Sequence, residues 1–335
     1  MPHGEQRGAA LQDGSLPENW ELQDKRSTVS TSTRERERER EFCSFFFCFH
    51  TDLLSNCRNA IFSLSAEEAE KGVVTHSSGN HAQAVALAAK LRGIPAYIVV
   101  PENAPKVKVA AIRSYGGVIT FCGLTMEDRE VTCSKIQAEK GCHFIAPFNA
   151  KETICGQATI GLELMQQTEC DLDAIVVPVS GGGMLSGIAI AAKCLKPEIK
   201  IIAAEPVGVN DAADVYQSKK AGELQKQVAK PKTLADGLQA RMGDMTWPII
   251  RDLVDDVIVV KEEEIVKAMQ LIYERMKVVV EPSGAVGLAA VLCEEMKSKY
   301  SREAAGKVGI VLCGGNADLG AVSFWENWQK RWQSF

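Results

Sequence analysis

The sequence predicts an α/β fold with two open parallel sheets flanked by helices. From Val73 onward, short β-branched runs alternate with helical segments, and this alternation is typical of parallel α/β architecture. The helical segments end at glycine or proline, as residues 82–92 do before Gly93 and Pro95. The chain shows no internal repeat of the roughly 20 to 50 residues that a solenoid requires.

Each element takes its place in one of two series. The first series has predicted strands at 73–75, 96–100, 118–121 and 143–145, and helices at 82–92, 105–115 and 126–140. The second has strands at 174–179, 200–204, 257–260 and 308–312, and helices at 152–167, 185–195, 262–276 and 284–297. We therefore predict a small α/β domain at 59–150, a large domain at 151–325 and a tail at 326–335.

Residues 1–58 differ from the rest of the chain. A polar, aperiodic stretch is followed by alternating Arg and Glu at 34–41 and by a Phe-rich run at 42–49. Charge runs are usually solvated or disordered, which predicts a disordered or non-homologous segment. A sharper hypothesis is that repeated AG dinucleotides encode the Arg-Glu run and a pyrimidine tract encodes the Phe-rich run, as at the 3′ end of an intron. The segment would then be translated non-coding sequence or an alternative first exon.

Composition narrows the class of protein. A chain of 335 residues with 46% hydrophobic content can bury a sizeable core, and its net charge of -5 argues against a nucleic-acid partner. The 11 cysteines form no CxxC pair, which favours reduced thiols over a disulfide framework. The most apolar N-terminal stretch, 42–54, is interrupted by Ser44, His50 and Asp52, so no membrane span is predicted. We expect a cytoplasmic protein.

Residues 180–187 carry the strongest local signal. They read Ser-Gly-Gly-Gly-Met-Leu-Ser-Gly between an apolar strand and a helix. Glycines let backbone N–H groups approach an anion, and the helix dipole favours negative charge there, so the loop is predicted to bind phosphate. A dinucleotide site is the alternative, because Glu205 closes the next strand, but Ser186 stands where the third glycine belongs. A tight turn without ligand is the other alternative.

Two further loops follow predicted strands. Residues 75–81 read Thr-His-Ser-Ser-Gly-Asn-His and gather hydroxyls, an amide and imidazoles at a helix start. This set suits a carboxylate, although a Ser/Asn pair is equally good capping chemistry. Residues 312–316 read Leu-Cys-Gly-Gly-Asn at the end of the last strand, where ligands of open α/β sheets bind.

Together the three loops resemble those of the fold-type-II pyridoxal-phosphate (PLP) enzymes, which have a tryptophan synthase β-like fold. Longer runs narrow the resemblance to the serine racemase branch, which is similar to the serine/threonine dehydratases. These runs are residues 93–101, 246–256 and 274–277, the last one shortly before Glu281 and Pro282. The resemblance extends from about Asn59 to Trp325 and implies that 151–325 is the PLP-binding domain.

The resemblance implies a role for each matched residue. The cofactor phosphate would be bound by the backbone of Ser180, Gly181, Gly182, Gly183 and Met184. Asn80 would contact the pyridine 3′ oxygen and Cys313 the pyridine nitrogen. A thiol is a weak hydrogen-bond partner, so the ring nitrogen would stay largely unprotonated, which leaves room for β-elimination beside racemisation. The alternative for Cys313 is a small buried residue.

The remaining implied sites concern substrate, metal and effector. Ser78 would be the acid/base on one face of the substrate Cα, with Ser77, His81 and Arg129 as substrate contacts. Glu205, the carbonyl of Ala212 and Asp214 would bind Mg²⁺ or Ca²⁺. Gln83, Tyr115, Lys277 and Asn316 would bind ATP as an allosteric effector at a homodimer interface. The implied reactions interconvert L- and D-serine and eliminate water to give pyruvate and ammonia, with L-threonine as a possible further substrate.

One departure from the family concerns its Schiff-base lysine. The family carries this lysine in a Ser-Phe-Lys-x-Arg-Gly-Ala motif upstream of the first strand of the small domain, and residues 1–58 lack that motif. The lysine that precedes Lys71 is Lys25, outside any such motif. We therefore expect this chain to be inactive, and a non-catalytic truncated isoform or gene-model fragment that pairs with intact subunits is the alternative. We also expect an unpaired edge on the large sheet, because the lysine-bearing segment would add to it.

Overall fold

The computed structural model describes residues 45–48, 54–226, 230–300 and 306–317, with side chains from residue 56 onward. All of them belong to one compact unit, residues 44–335. They form two parallel sheets with flanking helices, which confirms the predicted fold class. Apart from the strand Phe45–Cys48, the strands of the two sheets fall in the two predicted domain ranges, whose boundaries stay a prediction.

The small sheet has four parallel strands in the order β4-β3-β2-β5. The strands are β2 (Val73–His76), β3 (Ala96–Pro101), β4 (Val118–Cys122) and β5 (His143–Phe144). Five helices accompany them: α1 (Leu54–Phe62), α2 (Ala66–Glu70), α3 (Asn80–Arg92), α4 (Lys106–Ser114) and α5 (Met126–Lys140). The helix α5 has the predicted bounds because Thr125 and Asp128 form a capping box at its start and Gly141 ends it at a φ of 65°.

The large sheet has five parallel strands in the order β1-β9-β6-β7-β8. The strands are β1 (Phe45–Cys48), β6 (Ala174–Pro178), β7 (Lys200–Pro206), β8 (Asp256–Val260) and β9 (Val308–Val311). Its helices are α6 (Lys151–Gln167), α7 (Gly183–Leu195), α8 (Asp214–Ala221), α9 (Thr246–Leu253), α10 (Glu262–Leu271), α11 (Pro282–Leu292) and α12 (Glu294–Lys299). Every residue of β6 is buried, since helices cover both faces of a parallel sheet.

The prediction that the large sheet is left unpaired beside β9 is wrong. Strand β1 pairs in parallel with β9, from Phe45 opposite Val308 to Cys48 opposite Val311. Helix α1 also begins at Leu54, inside the segment to which no fold was assigned. The Arg-Glu run at 34–41 and the predicted tail at 326–335 lie outside the described residues.

Two predicted helices are interrupted. The predicted helix 262–276 is α10 followed by a π-helical turn, Ile272–Met276, which ends at Lys277 with a left-handed φ of 60°. The predicted helix 284–297 breaks at Cys293, whose Sγ accepts a hydrogen bond from the Met296 N–H at 3.4 Å and so begins α12. No helix was predicted at the positions of the short helices α2, α8 and α9. No helix in the described ranges has both the length and the apolar content to cross a membrane.

Candidate active site

The three predicted loops converge, because the loops after β6 and β9 follow neighbouring strands and the loop after β2 is hydrogen-bonded to the loop after β9. They follow β2, β6 and β9, and two of them lead directly into α3 and α7. The Asn80 Nδ2 donates a hydrogen bond to Glu281 Oε1 at 2.6 Å, and the Asn316 Nδ2 donates to Asn80 Oδ1. The side-chain amide of Asn80, the first residue of α3, is therefore hydrogen-bonded through both its nitrogen and its oxygen to residues of the predicted large domain.

The glycine loop leaves no room for side chains. A Cβ at Gly181 would lie 2.4 Å from the Phe148 ring, and one at Gly183 would lie 2.9 Å from the Phe148 backbone. Gly182 has a φ of 90°, and a Cβ there would lie 2.7 Å from the Ile250 Cδ1. The loop ends at the start of α7, whose first N–H groups have no partner within the helix. These features suit an anion bound by main-chain donors.

Two hydroxyls fix the glycine loop. The Ser180 hydroxyl donates to the Ala240 carbonyl at 3.0 Å and accepts from the Ala240 N–H at 2.8 Å. The Thr246 hydroxyl donates to the Gly181 carbonyl at 2.8 Å, and the Gly243 N–H donates to the same carbonyl at 3.3 Å. The loop is thus held in place before any ligand binds.

Cys313 is buried at the end of β9. Burial raises the pKa of its thiol to about 12, and the charge of Glu281 adds to this rise. The thiol points to the Ser283 carbonyl at 3.9 Å. A thiol that stays protonated is the weak, neutral partner that was predicted for the pyridine nitrogen.

Glu281 is a site residue whose role sequence reasoning missed. It immediately precedes α11 and is 2% exposed. Burial raises the pKa of its carboxyl, while the charge of Lys108 and the hydrogen bond from Asn80 act in the opposite direction. Within the described part of the chain, its Oε2 is buried without a hydrogen-bond partner. The Glu-Pro pair that starts α11 was the signal available in the sequence.

The loop after β2 is open. The Ser77 N–H donates to the Val99 carbonyl at 3.1 Å, and the Gly79 N–H donates to Ser77 Oγ at 3.3 Å. No atom of the described residues, apart from the adjacent chain neighbours, lies within 4 Å of a Cβ built on Gly79. The Ser78 side chain is half-buried and has no hydrogen-bond partner among the described residues. Space and a hydroxyl are therefore available where the substrate is predicted.

His81 lies against the small sheet. Its Nε2 is 3.1 Å from Thr75 Oγ1 and 3.2 Å from the Ile145 carbonyl, and its Nδ1 is 3.4 Å from Cys57 Sγ. Since the Thr75 hydroxyl donates to the Ile145 carbonyl, both oxygens can accept from an Nε2–H. Burial lowers the pKa of His81 to about 4. These contacts engage both ring nitrogens, and the substrate contact predicted for His81 stays a prediction.

Arg129 lies near the same loop. It is half-buried on α5, and its Nε is buried with no hydrogen-bond partner in the described ranges. Burial lowers the pKa of His76, and the charge of Arg129 contributes to this lowering. The His76 ring stacks on Phe144, with 5.5 Å between ring centroids. A guanidinium is thus available beside the open loop.

The predicted metal ligands include two buried carboxylates. Glu205 accepts hydrogen bonds from the N–H groups of Val215 at 2.9 Å and Tyr216 at 2.8 Å. Burial raises the pKa of Glu205 to about 8 despite these two donors, and the charge of Asp214 adds to the rise. The Ala212 N–H donates to the Val207 carbonyl at 2.8 Å. Over the described residues, no group of three or more His, Cys, Asp or Glu side chains could hold a metal ion, and the predicted site stays a prediction.

The four predicted effector residues are not joined by their contacts. Gln83 is buried on α3, and its Nε2 lacks a hydrogen-bond partner in the described part of the chain. Tyr115 packs against the core of the small sheet, and the Lys277 ammonium donates to the Glu274 carbonyl. Asn316 contacts Asn80, so it lies beside the predicted cofactor contact. Their nucleotide-binding role stays a prediction.

The chain matches a family model described as pyridoxal-phosphate dependent enzyme over residues 55–314. Among curated proteins, it is 53% identical to the serine racemase of Oryza sativa subsp. indica over 273 residues, which cover 82% of this chain and 78% of that protein. It is 54% identical to the serine racemase of Arabidopsis thaliana over 274 residues, which cover 81% and 80% of the two chains.

Solved structures show the same likeness. Maize serine racemase superposes with a TM-score of 0.79 at 49% identity, with 87% of this chain and 88% of that chain covered. The threonine deaminase of T.th. superposes with a TM-score of 0.75 at 35% identity, with 82% and 88% covered. The predicted resemblance is confirmed.

Proposed function

Since the chain belongs to the pyridoxal-phosphate dependent enzyme family, we propose that it carries the site of a serine racemase that is also a serine dehydratase. The reactions would interconvert L- and D-serine and eliminate water from serine to give pyruvate and ammonia. The similarity to serine racemases supports the first activity, and the similarity to a threonine deaminase supports the second and supports L-threonine as a further substrate. Membership of this family also decides against the dinucleotide alternative for the glycine loop.

The convergence of the three loops carries the proposal. The backbone from Ser180 to Met184 would hold the cofactor phosphate through main-chain N–H groups at the start of α7, and its three glycines have no room for side chains because a Cβ would collide with Phe148, Ile250 or Thr246. Asn80 and Cys313 would contact the ring, and the buried, unpartnered oxygen of Glu281 lies beside Asn80. The residues therefore fit PLP. When bound, PLP supplies a conjugated ring that stabilises negative charge at the substrate Cα.

The chain's own residues would orient the substrate and move one proton. Ser78 would hold the proton on one face of Cα, in the open part of the loop after β2. Ser77 and the unpaired edge of Arg129 would bind the substrate carboxylate, as an Arg suits a planar anion. The protonated thiol of Cys313 would leave the ring nitrogen without positive charge, which supports elimination beside racemisation.

The missing motif lysine supports a second candidate function. We propose that this chain is inactive by itself and that it acts, at most, as a non-catalytic isoform paired with intact subunits. Lys108 is buried near the site, but its ammonium pairs with Asp236, and an ion-paired ammonium is not a nucleophile. Sequencing the mRNA across the codon for Asn59 would show whether residues 1–58 are expressed together with the rest of the chain.

Borohydride reduction tests the inactivity. Purified chain mixed with PLP should give no reducible cofactor adduct and no racemase activity, because it lacks the amine that attaches the cofactor. The matched control is the same chain with a family Ser-Phe-Lys-x-Arg-Gly-Ala segment placed before Asn59. A stoichiometric adduct on one lysine of the unaltered chain would contradict the proposal.

The proposal extends to a metal ion, an effector and an assembly. Two buried carboxylates, Glu205 and Asp214, favour Mg²⁺ or Ca²⁺ as a ligand. A hundredfold excess of the cation over its dissociation constant should stabilise the fold by about 2.7 kcal/mol, and Glu205→Ala should abolish the resulting melting shift. An unchanged shift would place the site elsewhere. The ATP effector, the homodimer and the cytoplasmic location rest on the family resemblance and the composition.

A further inference from the structure

Residues 236–246, here named the strap, contact the glycine loop. The strap has no regular helix or strand before α9 begins at Thr246. Ala240 exchanges two hydrogen bonds with the Ser180 hydroxyl, at 2.8 and 3.0 Å. Gly243 and Thr246 both donate to the Gly181 carbonyl. The position of the strap therefore decides the position of the loop that would bind phosphate.

The strap is also held near both ends by side chains outside the glycine loop. The Gly237 N–H donates to Ser283 Oγ at 3.0 Å, in the first turn of α11. At the other end, the Met245 N–H donates to Asn149 Oδ1 at 3.0 Å, and the Asn149 Nδ2 donates to Asp244 Oδ1 at 2.6 Å. These bonds hold the strap near its two ends. Its first residue, Asp236, has a different partner.

Asp236 forms an ion pair with Lys108, which lies on a helix beside the small sheet. The Lys108 ammonium, on α4, lies 2.5 Å from Asp236 Oδ2. The Lys108 side chain is 11% exposed, and that of Asp236 is 47% exposed. Lys108 is the one lysine among the buried polar residues of the described ranges. Lysines are almost never buried unless their charge is paired, so the contact between Lys108 and Asp236 is a specific one.

We propose that Lys108 is a positioning residue, which sets the strap and through it the glycine loop from the side of the small sheet. The inference rests on the proposed function only in taking this loop as the phosphate site. A segment without regular structure loses conformational entropy when it is ordered, and an ion pair at its first residue supplies part of that order in advance. Phosphate binding and the ion pair must then strengthen each other by the same factor.

Lys108→Met is the principal variant, because it keeps most of the aliphatic stem and removes the charge. Lys106→Met is the matched control, since Lys106 is exposed on the same helix. The first measurement is amide hydrogen exchange of residues 236–246 in the unliganded full chain. The second is the affinity for pyridoxine 5′-phosphate, which has the phosphate and the ring of PLP but no aldehyde, so it requires no lysine.

In Lys108→Met we expect faster exchange in the strap and an affinity about fivefold lower, which corresponds to a coupling of about 1 kcal/mol. Lys106→Met should behave as the unaltered chain, and Lys108→Arg should retain most of the affinity. Asp236→Asn should reproduce the Lys108→Met effects, and combining the two should add nothing further. If Lys108→Met fails to fold, Asp236→Asn and Lys108→Arg test the proposal instead. Asp236 is half exposed, so Asp236→Asn is expected to fold.

Unchanged exchange in both Lys108→Met and Asp236→Asn would overturn the proposal, and so would effects of the two that simply add. Failure of the proposed function has a different signature. In that case the unaltered chain would not bind pyridoxine 5′-phosphate, while the exchange of the strap would still report whether Lys108 positions it.

Discussion

The glycine loop and the loop after β2 are built in opposite ways. In the glycine loop, a Cβ on any of three glycines would meet atoms within 3 Å, and two hydroxyls anchor the backbone. In the other loop, the space around Gly79 is open, and Ser78 has no side-chain partner among the described residues. A loop that keeps a phosphate bound is best rigid before the phosphate binds, whereas a loop that admits and releases a substrate requires space.

The largest expected effect breaks the rigid loop. Gly182→Ala should lower the free energy of unfolding by about 2–4 kcal/mol and abolish pyridoxine 5′-phosphate binding, because Gly182 has a positive φ and its Cβ would meet Ile250 and Thr246. Chemical denaturation and ligand titration measure the two losses. Gly79→Ala is the control, and its free energy of unfolding should change by less than about 1 kcal/mol. Equal losses in both variants would remove the distinction between the loops.

The second effect concerns the anchor of the open loop. The pKa of His81 is lowered to about 4 in the folded chain, whereas the ordinary value, which the unfolded chain has, is 6.5. The unfolded state then binds the extra proton, so stability is full above pH 6.5 and falls as the pH drops towards 4. The loss should reach about 3 kcal/mol, since each unit of pKa corresponds to about 1.4 kcal/mol. His81→Gln should lack this loss, so the difference in the free energy of unfolding between the variant and the unaltered chain, measured by urea denaturation, should change by about 3 kcal/mol between pH 7 and pH 4.

A smaller effect sharpens the account of the glycine loop. Ser180→Ala removes one hydroxyl that makes two hydrogen bonds with Ala240, which should cost about 1–2 kcal/mol of stability. Hydrogen exchange should rise in residues 238–244. Ser77→Ala is a suitable comparison, because the Ser77 hydroxyl accepts a single bond, at 3.3 Å. An equal loss of stability would show that Ser180 is not a special anchor.

The smallest effect on stability is expected at Ser78. Ser78→Ala should leave the melting temperature within about 1 °C, since its side chain has no hydrogen-bond partner among the described residues. In a chain with the family lysine segment restored, the same change should block racemisation, whereas elimination of water from L-serine should partly survive. Racemisation and elimination rates that both stay unchanged would show that Ser78 is not the acid/base.

Much of the fold and the place of the site could be predicted from the sequence. Most strands from β2 to β9 are short apolar runs, and parallel strands of one sheet place their carboxyl ends at one edge. In the large sheet β6 and β9 are neighbours, so their loops lie side by side, and Asn80, after β2 of the small sheet, is hydrogen-bonded to Asn316 after β9. Their cofactor, substrate and metal roles stay predictions.

What could not be predicted depends on contacts between distant residues. His81 and His76 flank one short loop, and the sequence does not indicate that the His81 ring turns towards Thr75 and Ile145. The strap has no hydrophobic period, so its bonds to Ser180 and Lys108 left no local pattern. Strand β1 was missed because a Phe-rich run shows no alternation, and alternation is the signal of a half-buried strand.

The position of β1 at the edge of the large sheet separates architecture from chemistry. An edge strand pairs along one side only, and its partner β9 recognises main-chain groups, which every sequence except proline supplies. A change of exon can therefore replace that strand with unrelated residues while β9 stays paired. The same change removes any catalytic group that the original segment carried. Splicing could in this way produce, from one gene, a protein that retains the shape of an enzyme without its reaction.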